Sequence, residues 1–189
     1  MSQLKHRTHP GCSYFVTTKC AENRSVFQVP ENAKILIGVL FKYREQKVYQ
    51  LHEFVVMPDH LHLLLTPSQS TPLEKCIQFI KGASSHEIHK QRSHKLEIWQ
   101  KGFHDWTIRD HNDWFEKVQY IRMNPVRAKL IGNPGAWPFS SASTTFLLDP
   151  MPDKYRLLSS AAEAATRSDI TLGLKPQPPT EVRTKAQRA

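Results

Sequence analysis

Cysteine is scarce in this chain of 189 residues, and the cysteines present follow no metal-binding or disulfide pattern. They are Cys12, Cys20 and Cys76, an odd number without any Cys-x-x-Cys spacing. A disulfide-stapled secreted domain needs a dense, even set, and a structural zinc site needs closely spaced pairs. Both classes are therefore disfavoured, and the composition fits a reducing cytosol.

Long apolar runs are also lacking, since no stretch approaches the roughly 18 consecutive apolar residues of a transmembrane helix. The N-terminal stretch "MSQLKHRTHPGCSYFVTTKC" carries basic side chains but has no apolar segment of the kind found in signal peptides. We therefore expect a cytoplasmic protein that does not act at a membrane.

Acidic residues are in the minority, with 17 Asp and Glu against 26 Lys and Arg, so the formal net charge is +9 at pH 7. A charge excess of this size indicates a polyanionic partner, of which nucleic acid is the commonest. A protein that is basic without such a partner is the alternative. The hydrophobic share of 39% and the charged share of 23% are ordinary for a globular domain.

What the chain does contain is an apolar strand with two histidines, in "MPDHLHLLL" from Met57 to Leu65. Successive side chains of a strand point to opposite faces, so His60 and His62 share one face, and Leu61, Leu63 and Leu65 share the other. One face can pack on a core, while the other presents two imidazoles at close range, as a metal-binding strand does. Chance placement of two of the ten histidines is the alternative.

The predicted elements follow the order β-α-β-β-α-β. "CSYFVTTKC" predicts a strand, "VPENAKILIGVLFKYREQ" a helix that starts at Pro30, and "VYQLHEFVVM" with "HLHLLLT" a hairpin that turns at Pro58 and Asp59. A long helix with a Ser/Thr cap, Pro72 and a weak point at Gly82 follows, and then a short strand in "IWQKGFHDWTIRD". This order predicts an α+β fold, a ferredoxin-like antiparallel sheet with helices packed on one face.

We expect one domain over residues 1–150 and a C-terminal extension over residues 151–189. One domain is the usual content of a chain of this length. The segment after Gly173 is polar, proline-rich and basic. That composition predicts a disordered tail, able to touch nucleic-acid phosphates.

The last predicted helix, "HNDWFEKVQYIRMNP", supplies a candidate for the second part of the site. At about 100° per residue, Trp114, Val118 and Ile121 fall on one stripe that should face the core. We expect Pro125 to stop or bend this helix, because proline lacks a backbone donor and restricts the residue before it. The stretch "GNPGAWPFSSAS" that follows should be irregular.

Tyr120 and Asn124 are four residues apart and lie together away from the apolar stripe, with Lys117 and Asp113 on the same ridge. A structural tyrosine would fall on the apolar face, so this phenol faces either solvent or something polar. A half-exposed surface tyrosine is therefore the alternative for Tyr120. For Asn124 the alternative is a simple helix end, since Asn-Pro commonly terminates helices.

Four blocks carry a resemblance to a known family. "MPDHLHLLL" resembles the His-hydrophobic-His motif of the HUH single-strand nucleases, and "WQKGFHDWTIRD", "YIRMNPVRAKL" and "PGAWPFSSAS" resemble the Y1 transposases of the IS200 type in order and spacing. The resemblance covers about residues 10–145 and is closest to the REP-associated tyrosine transposases. One tyrosine followed by Asn124, where IS200-type enzymes more often have glutamine, is the pattern of that branch. Lys129 stands where the family often has glycine.

The resemblance implies the HUH nuclease fold and an enzyme that cleaves and rejoins single-stranded DNA next to a hairpin, the repetitive extragenic palindrome. His60, His62 and Asn124 would coordinate Mg²⁺ or Mn²⁺, and Tyr120 would attack the scissile phosphate to form a 5′-phosphotyrosine link. Two imidazoles and an amide oxygen suit Mn²⁺ better than Mg²⁺. Members of the family are monomers or homodimers, and both stay open for this chain.

Several cations are candidates for contacts with DNA phosphates, namely Lys117, Arg122, Arg127, Lys129 and Lys81. From its spacing, Lys117 is also our own candidate for stabilising the phenolate of the attacking tyrosine, and a solvated surface lysine is the alternative. The basic stretch from Lys81 to Lys95 fits a DNA-binding face and a solvated helix face equally well.

The block "FHDWTIRD" adds no site residue to this prediction. We interpret Trp106 and Ile108 as sheet packing. His104 and Asp105 are adjacent in a strand, so they point to opposite faces and cannot share one metal ion. His111 should precede the last helix near an asparagine cap.

Two other functions are open. The first is a DNA-binding protein of the same fold that recognises palindromes and has weak or lost catalysis. The second is a structural metal or histidine-rich binding protein, which leaves the basic charge and the tyrosine helix unexplained. The presence of His60, His62, Tyr120 and Asn124 together favours the enzyme over the first of these.

Overall fold

The strands and helices follow the alternation and the helical periodicity of the sequence. A computed structural model describes residues 8–91, 96–143 and 146–156. Short 3-10 turns lie at Ala21–Asn23, Val26–Gln28, Pro134–Ala136 and Asp153–Tyr155. The main elements are, in chain order, β1 (Tyr14–Lys19), α1 (Pro30–Glu45), β2 (Tyr49–Val56), β3 (His60–Pro67), α2 (Leu73–Lys90), β4 (His104–Thr107) and α3 (His111–Arg127).

The strands form one antiparallel sheet in the order β2-β3-β1-β4. β2 and β3 make a hairpin through Pro58 and Asp59, and the Met57 N–H donates to the His60 carbonyl at 2.8 Å. β1 then inserts between β3 and the short edge strand β4, which comes much later in the chain. The predicted α+β class and the ferredoxin-like antiparallel sheet are confirmed.

Helices cover both faces of the sheet, so our expectation of a single covered face is wrong. α1 and α2 pack on each other and on the face that carries the leucines at odd-numbered positions of β3. α3 lies on the opposite face, where Trp114, Val118 and Ile121 pack with Val55 and Leu64. The predicted apolar stripe is confirmed. Periodicity shows that a helix has one apolar side, but it does not show which face of the sheet that side meets.

A distant hydroxyl caps the start of α2. The N-cap residue Pro72 has no side-chain donor or acceptor, and the Oγ1 of Thr8 instead accepts a hydrogen bond from the N–H of Leu73 at 2.9 Å. The Ser/Thr cap that we predicted next to the helix is therefore wrong. α2 ends at Lys90, and residues 92–95 of the predicted helix lie outside the described residues. No helix within the described ranges has both the length and the apolarity to cross a membrane.

An aspartate caps the start of α3. Asp110 Oδ1 accepts a hydrogen bond from the N–H of Asp113 at 2.9 Å, so His111 is the first helical residue and the expected asparagine cap is wrong. The Asp113 carboxylate in turn accepts hydrogen bonds from Arg109 Nε at 2.7 Å and Nη2 at 3.0 Å. These hydrogen bonds lower the pKa of Asp113 to about 2. The helix that carries Tyr120 is therefore held firmly at its first turn.

α3 is followed by a residue in the left-handed conformation, which glycine usually adopts, but the residue here is a lysine. The helix continues through Pro125 to Arg127, two residues past the expected stop. The N–H of Lys129 then donates to the Val126 carbonyl at 2.9 Å, and the N–H of Leu130 donates to the Pro125 carbonyl at 3.0 Å. These two bonds form a Schellman motif, which places Lys129 in the left-handed region with φ of 58°. The glycine common at this position in the family would relieve that strain.

Residues 151–156, which we assigned to the C-terminal extension, contact the sheet domain. The Tyr155 hydroxyl donates to the Ile108 carbonyl and accepts from the Ser13 N–H, both at 3.1 Å. The Tyr155 ring also belongs to the apolar cluster beneath α3. The first compact unit of the chain ends at Arg156. The tail predicted to be disordered from residue 173 lies outside the described residues.

Lys129→Gly should stabilise the protein. The substitution removes a Cβ from a left-handed residue, and we expect the free energy of unfolding to rise by about 1 kcal/mol. Urea denaturation measures the change, with Lys129→Ala as the control because it removes the same charge but keeps the Cβ. Equal stability of the two variants would contradict the strain at this position.

Candidate active site

The register of the sheet arranges polar side chains in rows on the face that α3 partly covers. His62 of β3 lies opposite Thr17 of β1, and Thr17 lies opposite His104 of β4. His60 lies opposite Lys19 in the next row. Residues that are directly opposite each other in neighbouring strands share a face. His60 and His62 therefore share a face, as the sequence predicts.

The two histidines are close together, and each has one ring nitrogen engaged by a neighbour. Their ring centroids are 4.7 Å apart. His60 Nδ1 is 2.7 Å from Asp59 Oδ1, and His62 Nδ1 is 2.8 Å from Thr17 Oγ1. In metal sites a partner of this kind on one nitrogen fixes the orientation of the ring and leaves the other nitrogen to bind the ion. Both rings are therefore arranged to present Nε2.

His62 is buried and neutral at physiological pH. Burial, and after it the charge of the neighbouring His60, lower the pKa of His62 to about 3. A neutral imidazole has a free lone pair, which is the form that binds a metal ion. The environment of His62 thus favours the ligand form over the imidazolium.

Tyr120 lies against this pair of histidines. Its ring meets the ring of His62 edge-on with centroids 5.2 Å apart, and it meets the ring of Phe15 edge-on at 5.5 Å. Even so, 37% of the residue is exposed. The sequence left open whether this phenol faces solvent or a polar group. In the structure its ring contacts the imidazole of His62, and the residue is also partly exposed to solvent.

Asn124 follows Tyr120 by one turn of α3 and is buried. Its backbone carbonyl accepts the N–H of Ala128 at 3.0 Å, so the residue remains within the regular part of the helix and does not end it. Across the described ranges, no group of three His, Cys, Asp or Glu side chains is placed to hold a metal ion. A metal ion bound at His60 and His62 would therefore need other ligands, such as the amide oxygen of Asn124 or water.

Phe15 joins the parts of this site, and sequence reasoning missed it. Its ring stacks on His62 with centroids 5.3 Å apart and an interplanar angle of 21°. It also touches the ring of Tyr120, and Lys117 Nζ lies 5.8 Å from its centroid. The signal available in the sequence was the alternation of β1, but the pairing of β1 with β3 was needed to place Phe15 next to His62. Thr17 and Lys19 were missed for the same reason. Asp59 was interpreted only as a turn residue, although its place directly before His60 was a signal in the sequence.

Two of the predicted phosphate-binding cations, Arg127 and Lys117, lie near Tyr120 but contact different rings. The guanidinium of Arg127 lies 5.3 Å from the centroid of the Tyr120 ring, so it accompanies the phenol directly. Lys117 Nζ contacts Glu116 Oε1 at 2.7 Å and lies 5.1 Å from the centroid of Trp106. Lys117 is therefore beside Phe15 and Trp106, one turn of the helix away from Tyr120.

Other predicted phosphate contacts have partners within the protein. Arg122 pairs with the buried carboxylate of Glu53, and Ser141 Oγ donates to the same carboxylate. Lys81 Nζ donates to two backbone carbonyls, those of Gln100 at 2.6 Å and Gly102 at 2.7 Å. These two cations stabilise the fold, while Lys129 is exposed at the end of α3.

Trp106 and Ile108 were both predicted to pack on the sheet, and only one of the two is buried. Ile108, just after the strand, is buried and packs with α3 as expected, whereas 46% of Trp106 is exposed. Trp106 lies opposite Phe15 and so shares the face of the histidines. His104 is on that face too, but Thr17 separates it from His62. His111 Nδ1 is 2.9 Å from the Tyr155 carbonyl oxygen, which is a structural contact.

Comparison with known proteins identifies a family and a fold. The family model for IS200-like transposases matches residues 8–124, more than half of the chain. The chain is 26% identical over 144 residues to the REP-associated tyrosine transposase of Escherichia coli strain K12, a match that covers 75% of this chain and 82% of that protein. A solved structure of a REP-associated tyrosine transposase bound to a REP hairpin is similar with a TM-score of 0.65 and 23% identity, over 83% of this chain and 95% of that one. At this identity the structural likeness shows the fold.

Arg122→Ala should destabilise the protein, and Arg127→Ala should not. Loss of Arg122 leaves the Glu53 carboxylate buried without its cationic partner, which we expect to cost about 1–3 kcal/mol. Arg127 is exposed and lies on the Tyr120 ring, so its loss should change the free energy of unfolding by less than about 0.5 kcal/mol. Thermal or urea denaturation of both variants measures this. The Glu53→Gln/Arg122→Ala double variant should recover part of the loss, and equal stability of the two arginine variants would contradict the structural role of Arg122.

Proposed function

Because the chain belongs to the family of IS200-like transposases, we propose that it cleaves and rejoins single-stranded DNA beside a hairpin through Tyr120. The observation that supports this most directly is the contact between Tyr120 and His62 within one chain, with ring centroids 5.2 Å apart. A nucleophile and a pair of metal-type ligands on one face are the parts that phosphodiester transfer requires. A DNA substrate agrees with the predicted location in the cytoplasm.

The proposed substrate is DNA that forms a hairpin similar to a repetitive extragenic palindrome. Support comes from the Escherichia coli relative named as a REP-associated tyrosine transposase and from the related structure solved with a REP hairpin. The net charge of +9 also favours a polyanion. On this proposal the hairpin positions the protein, and the unpaired strand next to it supplies the scissile phosphate.

The proposed chemical step is a direct exchange of phosphate esters. The Tyr120 oxygen attacks the phosphorus, its proton is lost, and a bond forms between the phenolic oxygen and the phosphorus. The bond from phosphorus to the 3′-oxygen breaks, and that oxygen leaves with the electron pair and takes up a proton. The products are a 5′-phosphotyrosine and a free 3′-hydroxyl. Attack by a 3′-hydroxyl on the phosphotyrosine reverses the step, so rejoining needs no nucleotide cofactor.

His60, His62 and Asn124 are the residues that would hold a divalent ion, Mg²⁺ or Mn²⁺. The fit rests on the two Nε2 atoms that Asp59 and Thr17 leave available, and on the neutral state of buried His62. An imidazole-rich donor set favours Mn²⁺ over Mg²⁺. A bound ion would supply Lewis-acid polarisation of the scissile phosphate.

The protein's own cations would contribute charge near the reacting groups. Arg127 lies on the ring of Tyr120, so it is the cation that we assign to stabilise developing negative charge on the phenol. Lys117 is a turn away and would contact a phosphate further along the strand, next to Phe15 and Trp106. Contacts of this kind make binding weaken as the salt concentration rises.

A covalent adduct tests the proposal. The protein is mixed with a labelled oligonucleotide that contains a hairpin and a single-stranded flank, in Mn²⁺, Mg²⁺ or EDTA, and the products are separated on a denaturing gel. We expect a metal-dependent band of DNA joined to protein, and complete loss of that band in Tyr120→Phe. Tyr43→Phe is the matched control, because Tyr43 is on α1 at the other face of the sheet and stacks on Phe79.

Two other outcomes would contradict the proposal. Binding of the hairpin on a native gel by wild type and Tyr120→Phe, with no adduct on any palindrome tried, would favour the palindrome-binding protein without catalysis. An adduct that persists in Tyr120→Phe would assign the nucleophile to another residue.

A further inference from the structure

An exposed tryptophan next to the candidate active site has no role in the mechanism above. Phe15 of β1 and Trp106 of β4 lie directly opposite each other in the register, so their side chains are neighbours on the face that carries the histidines. Two cations lie close to the indole, with Lys117 Nζ 5.1 Å and the Arg109 guanidinium 5.2 Å from its centroid. We call these four residues, Phe15, Trp106, Lys117 and Arg109, the Trp106 surface.

The exposure of Trp106 is not explained by packing. The apolar contact between α3 and the sheet is made by residues that are all nearly fully buried, namely Ile108, Trp114, Val118 and Ile121. Trp106 keeps 46% of its area exposed on an edge strand. A large indole at a position where burial is not required fits a binding surface better than a core.

The Trp106 surface is continuous with the site of chemistry. Phe15 stacks on His62, touches Tyr120, and is joined to Trp106 through Lys117, whose ammonium lies near both rings. A DNA strand with its scissile phosphate at Tyr120 would therefore have its next nucleotides within reach of this surface. The combination of an exposed ring with adjacent cations matches an unpaired base and the phosphate attached to it.

We infer that the Trp106 surface is a binding subsite for an unpaired nucleobase next to the cleaved phosphodiester. The base stacks on the exposed part of the Trp106 ring, and Lys117 contacts the adjoining phosphate. This inference rests on the proposed function, which brings single-stranded DNA to Tyr120. Stacking is available to every base, so the subsite selects unpaired structure over a particular sequence. The interior of a duplex cannot occupy it, because both faces of each base pair there are covered by the neighbouring pairs.

The test measures binding without cleavage, so that it does not depend on the chemical step. In the Tyr120→Phe background and in EDTA, a fluorescent hairpin oligonucleotide is titrated, together with a set of oligonucleotides that each lack one base in the single-stranded flank. We expect one abasic position to weaken binding about tenfold, the effect of losing one stacked base. Adding Trp106→Leu, which keeps an apolar side chain but has no ring, should weaken binding of the intact oligonucleotide by the same factor. In that variant the abasic position should have no further effect.

Two further variants control for general effects. Phe115→Ala removes an aromatic residue of nearly equal exposure, 45%, whose ring contacts His111 instead of the Trp106 surface, and it should leave binding unchanged. Trp106→Phe keeps a ring and should retain most of the affinity. Thermal denaturation confirms that each variant is folded, and Trp106→Phe keeps the test informative if Trp106→Leu does not fold.

The outcomes separate this inference from the proposed function. Equal losses for Trp106→Leu on the intact oligonucleotide and on every abasic one would overturn the subsite. So would unchanged binding in Trp106→Leu, even where the wild type forms the covalent adduct. Base-dependent binding at Trp106 without any adduct in the wild type would support the subsite and overturn the cleavage reaction instead.

Discussion

The antiparallel register between β1 and β3 is the constraint on which the candidate site depends. It places Thr17 opposite His62 and Phe15 opposite Leu64, so the two histidines, the hydroxyl that orients one of them, and the ring that stacks on it all share one face. A shift by one residue would turn His60 and His62 toward α1 and α2 and remove the odd-numbered leucines of β3 from that core. The leucines at odd positions prevent that shift, because they are buried in the larger core. Hydrophobic burial on one face thus maintains the polar arrangement on the other.

α3 completes the site because one of its sides packs on the sheet and the adjacent side carries Tyr120. Its apolar stripe packs on Val55 and Leu64, and the adjacent ridge then brings Tyr120 over His62. Two ionic contacts hold the helix in this position, Arg109 with Asp113 at its start and Arg122 with Glu53 further along. Tyr120 is therefore held by packing and ion pairs that do not involve the histidines. The result is a preorganised contact, within one chain, between the proposed nucleophile and the proposed ligand residues.

Local patterns in the sequence predict the parts of this structure that depend on periodicity. Alternation places His60 and His62 on one face, and the 3.6-residue repeat places Tyr120 away from the stripe of α3. Contacts that depend on pairing between distant segments could not be predicted from these local patterns. The roles of Phe15, Thr17 and Trp106 follow from strand pairs separated by many residues, and the ion pair of Arg122 with Glu53 joins positions 69 residues apart. The second covered face was missed because α3 follows the β-α-β-β-α-β unit and packs on the side that this unit leaves open.

The central claim is that His60 and His62 bind a metal ion immediately beside Tyr120, and paramagnetic broadening by Mn²⁺ tests it without DNA. Protein with isotope-labelled tyrosine rings is titrated with Mn²⁺, and the Tyr120 signal is assigned with Tyr120→Phe. We expect the Tyr120 resonance to broaden first and Tyr43, on the other face of the sheet, to stay sharp, with the effect lost in His62→Ala. A Tyr120 signal that stays sharp at saturating Mn²⁺, or equal broadening of all tyrosines, would contradict the claim.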